Sequence, residues 1–283
     1  ILLTYFVIFN RCFGLLQTKQ SLPCNKNRDS DMYVRIEKES SITTVIMDRP
    51  DKRNAVDRFM AEELREAFLE FEADDEQRVA VLWGDHGVFC AGADLSSMND
   101  PDRIVQIEAD GSGHGPMGPS RIQMTKPLIA ATPGYAVAGG LELALLADMR
   151  VAEESSIFGV YCRRWGVPLI DGGTIRLPRV VGMGRAMDMI LTGRPVNAEE
   201  ALQFGLVNRI VPDGQSRIEA ERIAHEISKF PQACMRADRL SAYEQWNLPL
   251  EEALRREGSA GQSIMEQEGK SGAARFVDGA GRH

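Results

Sequence analysis

The sequence contains few of the residues on which disulfide frameworks and metal centres depend. Its 283 residues include five cysteines and four histidines. The cysteines are odd in number and irregularly spaced, and no pair of histidines has the spacing of a helical metal site. Disulfide frameworks need paired cysteines and zinc sites need closely spaced ligands, so we predict neither, and no metal. This cysteine usage also favours a reducing compartment.

Several functional signatures are also missing. No strand is followed by the glycine pattern of a dinucleotide-binding turn, and there is no phosphate-binding Walker loop. The net charge of −8 argues against a general nucleic-acid binder. The apolar run at residues 1–9 is too short to span a bilayer. We therefore predict no nucleic-acid partner and no stable membrane insertion.

Residues 1–31 differ in composition from the rest of the chain. No acidic residue precedes Asp29, whereas this segment carries several lysines and arginines. An acid-poor basic leader is typical of organellar targeting segments. Three interpretations stay open: a disordered leader, a mitochondrial address and the remains of a secretory signal, which the cysteine usage disfavours. The predicted location is mitochondrial or cytoplasmic. We divide the chain into this leader, a core domain at residues 32–228 and a helical region at residues 229–283.

Hydrophobic periodicity in the core domain predicts mixed strands and helices. A hairpin of two strands is followed by a helix that Asp57 caps, and then by a short apolar strand. Further along, a buried strand precedes a glycine pair and a second helix. The C-terminal region reads as amphipathic helices. The predicted elements are strands Tyr33–Glu37, Ile42–Met47, Val79–Trp83, Pro127–Ala131 and Met149–Ala152, and helices Asp57–Phe71, Leu141–Ala147, Thr174–Val181, Arg217–Ser228, Pro231–Tyr243 and Leu250–Glu268.

The stretch Ala136–Gly140 organises the central part of the chain. It consists of small residues, ends in a glycine pair and opens a helix whose first turn contains Glu142. The first amides of a helix lack internal partners and carry partial positive charge. They can therefore hold an anion, or a carbonyl oxygen that gains negative charge, beside a carboxylate able to move a proton. The alternative is a tight turn with Glu142 as a surface residue.

Two other segments have the composition of binding loops. Cys90–Ala93 has no bulky side chain, so its backbone can lie against a ligand, and Asp94 suits the N-cap of the next turn. The alternative is a tight loop beneath the sheet. Gly111–Gly118 is glycine-rich and is typical of a mobile loop over an active site. His114 within it is more typical of an exposed loop residue than of a catalyst.

Taken together, these landmarks resemble the crotonase family, the enoyl-CoA hydratase/isomerase superfamily, from about Tyr33 to the C-terminus. The resemblance implies an α/β fold, the crotonase-like superhelix of ββα units (ClpP/crotonase fold), with a C-terminal helical trimerisation region. It also implies a homotrimer or dimer of trimers and an acyl-CoA thioester as substrate, with no cofactor besides the coenzyme A of that substrate. The landmarks, in order, are Arg49-Pro50 with Asn54-Ala55, Phe89–Asp94, Lys126-Pro127 leading to Gly139–Ala144, Phe158-Gly159, Gly172–Thr174 with Arg176-Leu177, and Gly205–Val207.

The resemblance assigns roles to individual residues. The amides of Ala93 and Gly139 form the hole that stabilises the thioester enolate, and Glu142 acts as acid and base. Lys52 and Arg53 lie near the nucleotide phosphates, or are solvated loop charges. The remaining substrate-binding residues are Ala91, Asp94, Leu95, Gly140 and Cys162.

One position departs from the pattern of hydratases. Their second glutamate follows a Phe-Gly pair by three residues, and here that position is Cys162, a thiol that cannot replace a carboxylate in water addition. Asp171 is the candidate partner of Glu142, with a helix cap as the alternative. Arg163 and Arg164 either pair with these acids, bind an acidic acyl group or lie at the surface.

The predicted function is an enoyl-CoA hydratase-like lyase or an enoyl-CoA isomerase. The alternatives are other enolate chemistry on acyl-CoA, such as decarboxylation or hydrolysis, and an inactive CoA-binding scaffold.

Overall fold

The structure, a computed structural model, describes residues 32–280. These residues contain a six-stranded sheet. Its strand order is β1-β2-β3-β4-β6-β9. The first two strands form an antiparallel hairpin and the others are parallel. The leader predicted at residues 1–31 lies outside the described residues. The strands are β1 Val34–Glu39, β2 Ile42–Met47, β3 Val79–Gly84, β4 Leu128–Thr132, β5 Tyr135–Val137, β6 Met149–Glu153, β7 Ile157–Gly159, β8 Val196–Asn197 and β9 Arg209–Val211.

The remaining strands form a small second sheet with the order β5-β7-β8. This sheet was not predicted from the sequence, because each of its strands has only two or three residues, too few for alternation to show. The first strand of this sheet, β5, leads directly into the turn that carries the Gly139-Gly140 pair.

Residues 32–280 contain nine α-helices. Asp57 caps the first helix as predicted, accepting a hydrogen bond from the Met60 amide at 3.1 Å. The long helix predicted at Leu250–Glu268 is interrupted by a π-helical turn at Met265–Gly269. The helices are α1 Arg58–Ala73, α2 Gly139–Leu146, α3 Gly173–Val181, α4 Met183–Thr192, α5 Ala198–Phe204, α6 Ser216–Ser228, α7 Gln232–Glu244, α8 Leu250–Ile264 and α9 Lys270–Val277.

The large sheet is buried on both faces. On one face, Val79, Val81 and Ile129 pack against Ile223 of α6. On this side the Thr44 hydroxyl donates to the Glu221 carboxylate at 2.8 Å, across 177 residues of sequence. The other face packs against α1 and α2 in the main core. Burial on both faces is why the central strands read as continuous apolar runs.

The C-terminal helices have a different character. None of the residues of α7, α8 and α9 is fully buried. Large apolar side chains remain exposed on them, among them Leu240, Leu250 and Phe276. The helical character predicted for the C-terminal region is confirmed up to Val277, the last residue of α9. The boundary at residue 229 stays a prediction. Within the described residues, no helix combines the length and apolar character that crossing a bilayer requires.

Candidate active site

The two small-residue turns predicted from the sequence lie against each other. The Cys90 amide donates to the Tyr135 carbonyl at 2.9 Å, and the Val137 amide donates to the Cys90 carbonyl at 3.1 Å. A β-carbon on Gly140 would lie 2.2 Å from the Cys90 carbonyl oxygen, so only glycine allows this approach. A β-carbon on Gly92 would lie 3.0 Å from the Gly139 nitrogen. The turns therefore bring their backbones together at one place.

Two amides at this junction have no hydrogen-bond acceptor within residues 32–280. Ala93 pairs with Val56 through hydrogen bonds of its neighbours: the Val56 amide donates to the Gly92 carbonyl, and the Asp94 amide to the Val56 carbonyl, both at 2.8 Å. Among residues 32–280, neither the Ala93 amide nor the Gly139 amide donates a hydrogen bond. Gly139 is the first residue of α2, where amides lack helical partners.

The turn before α2 is held in an unusual backbone conformation. Ala138 has φ of 53° and ψ of −125°. Residues other than glycine rarely adopt this backbone conformation. Its amide donates to the Gly159 carbonyl at 2.9 Å, which fixes the turn to the second sheet. The Met117 side chain packs against Gly139, since a β-carbon on that glycine would lie 2.6 Å from the sulfur. Met117 therefore forms one wall of the site.

Glu142 is a buried carboxyl group beside the free amides. It lies in the first turn of α2 and is 2% exposed. Its Oε1 accepts hydrogen bonds from the Asp171 amide at 2.9 Å and the Gly173 amide at 2.8 Å. Burial, and then the charge of Asp171, raise the pKa of Glu142 to about 7, although the two amides oppose this rise. Near neutral pH this carboxyl group can both accept and release a proton.

Asp171 is the second buried carboxyl group. It does not cap α3, because Gly172 occupies the N-cap position. Instead its Oδ1 accepts hydrogen bonds from the Met117 amide at 2.9 Å and from the Ser120 hydroxyl. Burial raises the pKa of Asp171 above its ordinary value, and the Ser120 hydrogen bond is the strongest opposing influence. The predicted Glu142 and Asp171 pair thus lies in one buried place.

The two carboxyl groups share a pattern of hydrogen bonding. In each, one oxygen accepts two hydrogen bonds, whereas Glu142 Oε2 and Asp171 Oδ2 accept none within the described part of the chain. The held oxygens fix the orientation of each group, and the other oxygens remain available for proton transfer.

The hydratase position occupied by Cys162 is also buried, at 7% exposure. Burial, followed by the charge of Glu142, raises the pKa of the Cys162 thiol, so the thiol is neutral near pH 7. Arg163 and Arg164 are exposed and donate to the Ile190 and Gly193 carbonyls at 3.1 Å. Within residues 32–280 neither forms an ion pair with the buried acids.

The positively charged loop before α1 contacts the turn that carries Ala93. Lys52 and Arg53 are both exposed. The Lys52 ammonium donates to the Ser96 hydroxyl at 3.1 Å, and the Arg53 carbonyl accepts from the Ala91 amide at 3.1 Å. Leu95, beside Ser96, is 41% exposed. The predicted phosphate-binding cations therefore lie close to the predicted oxyanion turn.

Asp94 has a structural partner as well as its predicted capping role. It caps a short 3₁₀ turn by accepting from the Ser96 amide at 3.0 Å. It also pairs with the buried Arg49 guanidinium at 2.9 Å, and Arg49 reaches Asp57 at 3.2 Å. Burial raises the pKa of Asp94, whereas the hydrogen bonds from Ser96 and Arg49 lower it, and the net result is a lowered pKa. The carboxylate of Asp94 is thus engaged inside the protein.

A cluster of possible metal ligands lies elsewhere. Asp48, Asp85 and His86 bring ligand atoms within 4.8 Å of one another. The Arg35 guanidinium occupies this cluster, at 2.7 Å from Asp48 and 2.5 Å from Asp85. The cluster is explained as an ion-pair network.

Comparisons with known proteins identify the class to which this fold and site belong. The family model described as enoyl-CoA hydratase/isomerase matches residues 37–280. The enoyl-CoA hydratase EchA19 of Mycobacterium tuberculosis is 34% identical over 251 residues, which is 86% of this chain and 92% of that protein. The carnitinyl-CoA dehydratase of Escherichia coli K12 is 33% identical over 227 residues, which is 78% of this chain and 84% of that protein.

Solved structures show the same relationship. An enoyl-CoA hydratase from Mycobacterium tuberculosis superposes with a TM-score of 0.81 at 32% identity, covering 87% of this chain and 96% of that one. The EchA1 enoyl-CoA hydratase of Mycobacterium marinum gives a TM-score of 0.81 at 31% identity, with the same coverage. The chain therefore belongs to the enoyl-CoA hydratase/isomerase family, and it has the crotonase fold. Its class of activity is hydratase-like chemistry on acyl-CoA, so the predicted family and fold are confirmed.

Three features of the site were not found from the sequence. Ser120 and Met117 hold Asp171 from a loop that has no periodic pattern. Arg176 was noted only as part of a landmark, yet its guanidinium donates to the Asp171 carbonyl at 3.0 Å. The only available signal was the density of glycine around Ser120, which indicates a loop but not the direction of its side chains.

Proposed function

We propose that this protein is an enoyl-CoA hydratase-like lyase in which Ala93 and Gly139 hold the thioester oxygen. The observation that carries the proposal is the pair of unbonded amides on two touching turns, next to a buried carboxyl group. An enolate oxygen carries more negative charge than the thioester oxygen from which it forms. Two amide donors therefore stabilise the enolate more, and loss of one such donor typically costs about 3 kcal/mol.

The carboxyl pair supplies the proton transfers. The charge of Asp171 raises the pKa of Glu142, so Asp171 ionises first as the pH rises. Between the two ionisations, of which the second lies at about pH 7, the pair holds an ionised Asp171 and a protonated Glu142. In hydration, the ionised group accepts a proton from water as it adds to the β-carbon, and the protonated group delivers one to the α-carbon.

A second reaction is favoured by Cys162. A neutral thiol in place of the second hydratase glutamate does not activate water. The pair Glu142 and Asp171 alone can move a double bond by removing a proton from one carbon and returning it to another. The same hole and the same acids then act as an isomerase. An inactive scaffold does not explain a carboxyl group held inside the protein with a pKa near 7.

Two matched variants test the proposal. Asp171→Asn should lower kcat for crotonyl-CoA hydration by roughly a hundredfold or more, the usual scale for an acid–base group. Glu142→Gln should abolish hydration and leave CoA binding, measured by calorimetry, nearly intact. Each substitution keeps the volume and one oxygen acceptor. A loss under threefold for Asp171→Asn would remove it from the mechanism. Activity on a β,γ-enoyl-CoA without hydration would select the isomerase.

We also propose that the C-terminal helices join subunits into a trimer or a dimer of trimers. The helices α7, α8 and α9 have no buried residue and carry exposed Leu240, Leu250 and Phe276, which together leave more apolar surface than single scattered residues would. Analytical ultracentrifugation should give three or six times the subunit mass. A monomer at micromolar concentration would contradict this assembly.

A further inference from the structure

The 111–121 loop holds one oxygen of Asp171 through two donors. The Ser120 hydroxyl and the Met117 amide both donate to Oδ1, the amide at 2.9 Å. Ser120 is fully buried, and Met117 is 1% exposed. These donors are separated from Asp171 by more than 50 residues of sequence, so the contact depends on the position of the loop.

Two arginines tie the same loop to the main chain around Asp171. Arg176 of α3 donates to the Asp171 carbonyl at 3.0 Å and to the Ser120 carbonyl at 2.7 Å. Arg121 donates to the Ile170 carbonyl at 2.8 Å. The loop and the segment before α3 are therefore joined on both sides of the carboxylate, which favours one orientation of Asp171.

We propose that Ser120 is a positioning residue that keeps Asp171 ionised and turns its Oδ2 toward the substrate. This inference rests on the proposed function, because it assigns Asp171 the role of proton acceptor. A hydroxyl that donates to a carboxylate stabilises the charged form and opposes the effect of burial. It also occupies Oδ1, so Oδ2 is the oxygen that can take a proton.

The charged and titratable groups that act on this carboxylate come from each neighbouring element. The positive charges of the arginines lower the pKa of Asp171 and so oppose the effect of burial. The charge of Asp171 in turn raises the pKa of the carboxyl group on α2. The thiol of the 3₁₀ turn at Tyr161–Trp165 interacts with that carboxyl group. Arg176 on α3 and Arg121 on the loop act on Asp171 directly, Glu142 on α2 faces its charge, and Cys162 on the 3₁₀ turn acts on Glu142 and not directly on Asp171.

The test compares pH profiles of kcat/KM for crotonyl-CoA, which report the ionisations of the free enzyme. In Ser120→Ala, Asp171 loses its hydroxyl donor, so its protonation should extend to higher pH. The acidic limb of the profile should therefore move upward by about one pH unit, as expected for a hydrogen bond to a charged group. Ser120→Cys keeps a donor at this position, although a weaker one on a larger atom, and should give a smaller shift in the same direction.

Ser216→Ala is the matched control. Ser216 is also fully buried, and its hydroxyl donates to the Glu153 carboxylate at 2.7 Å, at a different place in the fold. This variant should keep the acidic limb of the wild type. Thermal melts identify any variant that does not fold. If Ser120→Ala does not fold, the comparison of pH profiles is made with Ser120→Cys instead.

Two failures are distinguishable. If Ser120→Ala lowers kcat/KM equally at all pH values without moving the limb, Ser120 is only structural and the inference is overturned. The same holds if Ser216→Ala moves the limb as much. If Asp171→Asn retains full activity, the proposed function loses its proton acceptor, whatever Ser120 does. A large loss in Asp171→Asn together with an unmoved limb in Ser120→Ala rejects this inference alone.

Discussion

Replacing Glu142 with glutamine should remove a specific pH dependence of folding stability. Glutamine has nearly the same shape as glutamate, and its side-chain oxygen can still accept from the Asp171 and Gly173 amides, now at 2.9 and 2.8 Å. What the substitution removes is the ionisation of a carboxyl group that is 2% exposed. The change therefore isolates the free energy of charging one buried group.

The sign and size follow from the pKa of Glu142. Burial raises it from 4.5 to about 7, so the folded state holds a proton that the unfolded state has lost. This contribution to stability is complete below the unfolded pKa of 4.5 and is lost as pH rises through 7. Two to three pKa units correspond to about 3 kcal/mol. Relative to Glu142→Gln, the wild type should thus lose about that much stability between pH 4.5 and 9.

Urea denaturation at fixed protein concentration, followed by circular dichroism, measures the difference between the two proteins across this range. A constant concentration is needed because subunit association adds to the apparent stability. Asp171→Asn provides an independent check, since it removes the charge that helps to raise the Glu142 pKa. The stability loss that Glu142 causes should then be smaller and should end at a lower pH, while it still begins near the unfolded pKa of 4.5. A wild-type-minus-variant difference that does not change between pH 5 and 9 would refute the reasoning.

Four other changes have defined outcomes. Ala138→Gly should stabilise the protein by about 1 kcal/mol in thermal melts, because it relieves the positive φ of 53°; a lower Tm would contradict this. Gly140→Ala should destabilise by roughly 2 kcal/mol and abolish activity, since its β-carbon meets the Cys90 carbonyl. Asp94→Ala leaves Arg49 with one fewer buried partner and should cost about 3 kcal/mol in urea denaturation. Cys162→Glu should raise crotonyl-CoA hydration, and no gain in a folded variant would indicate a pocket suited to another reaction.

Local patterns were sufficient for much of the fold. The hairpin at β1 and β2, the capped helix α1 and the glycine pair that opens α2 follow from alternation, capping and small residues. The strands of the second sheet did not, because pairing in so short a strand depends on neighbours distant in sequence. The break in the predicted helix Leu250–Glu268 was also missed. Its residues have no Pro, and a π-helical turn has no sequence signal in the 3.6-residue period.

In the candidate site, too, some residues could be predicted from local sequence patterns, whereas their tertiary contacts could not. Ala93, Gly139 and Glu142 could be proposed because their turns are defined by nearby small residues. Asp171 could be proposed as an acid, but its contacts could not. Ser120 reaches it from a loop 51 residues away, and nothing in a loop of irregular spacing indicates which side chain points inward. The buried engagement of Asp94 with Arg49 likewise depends on tertiary packing.

The position of α6 has a consequence for how the chain folds during synthesis. Strands β2, β3, β4 and β6 emerge from the ribosome well before Ile223 and Ala224, which cover one of their faces. Until α6 has been synthesised, that face of the sheet is an apolar surface exposed to solvent. The sheet also depends on pairings between strands distant in sequence, which form slowly. Chaperone dependence in the cell should therefore respond to substitutions in α6 more than to substitutions in the C-terminal helices.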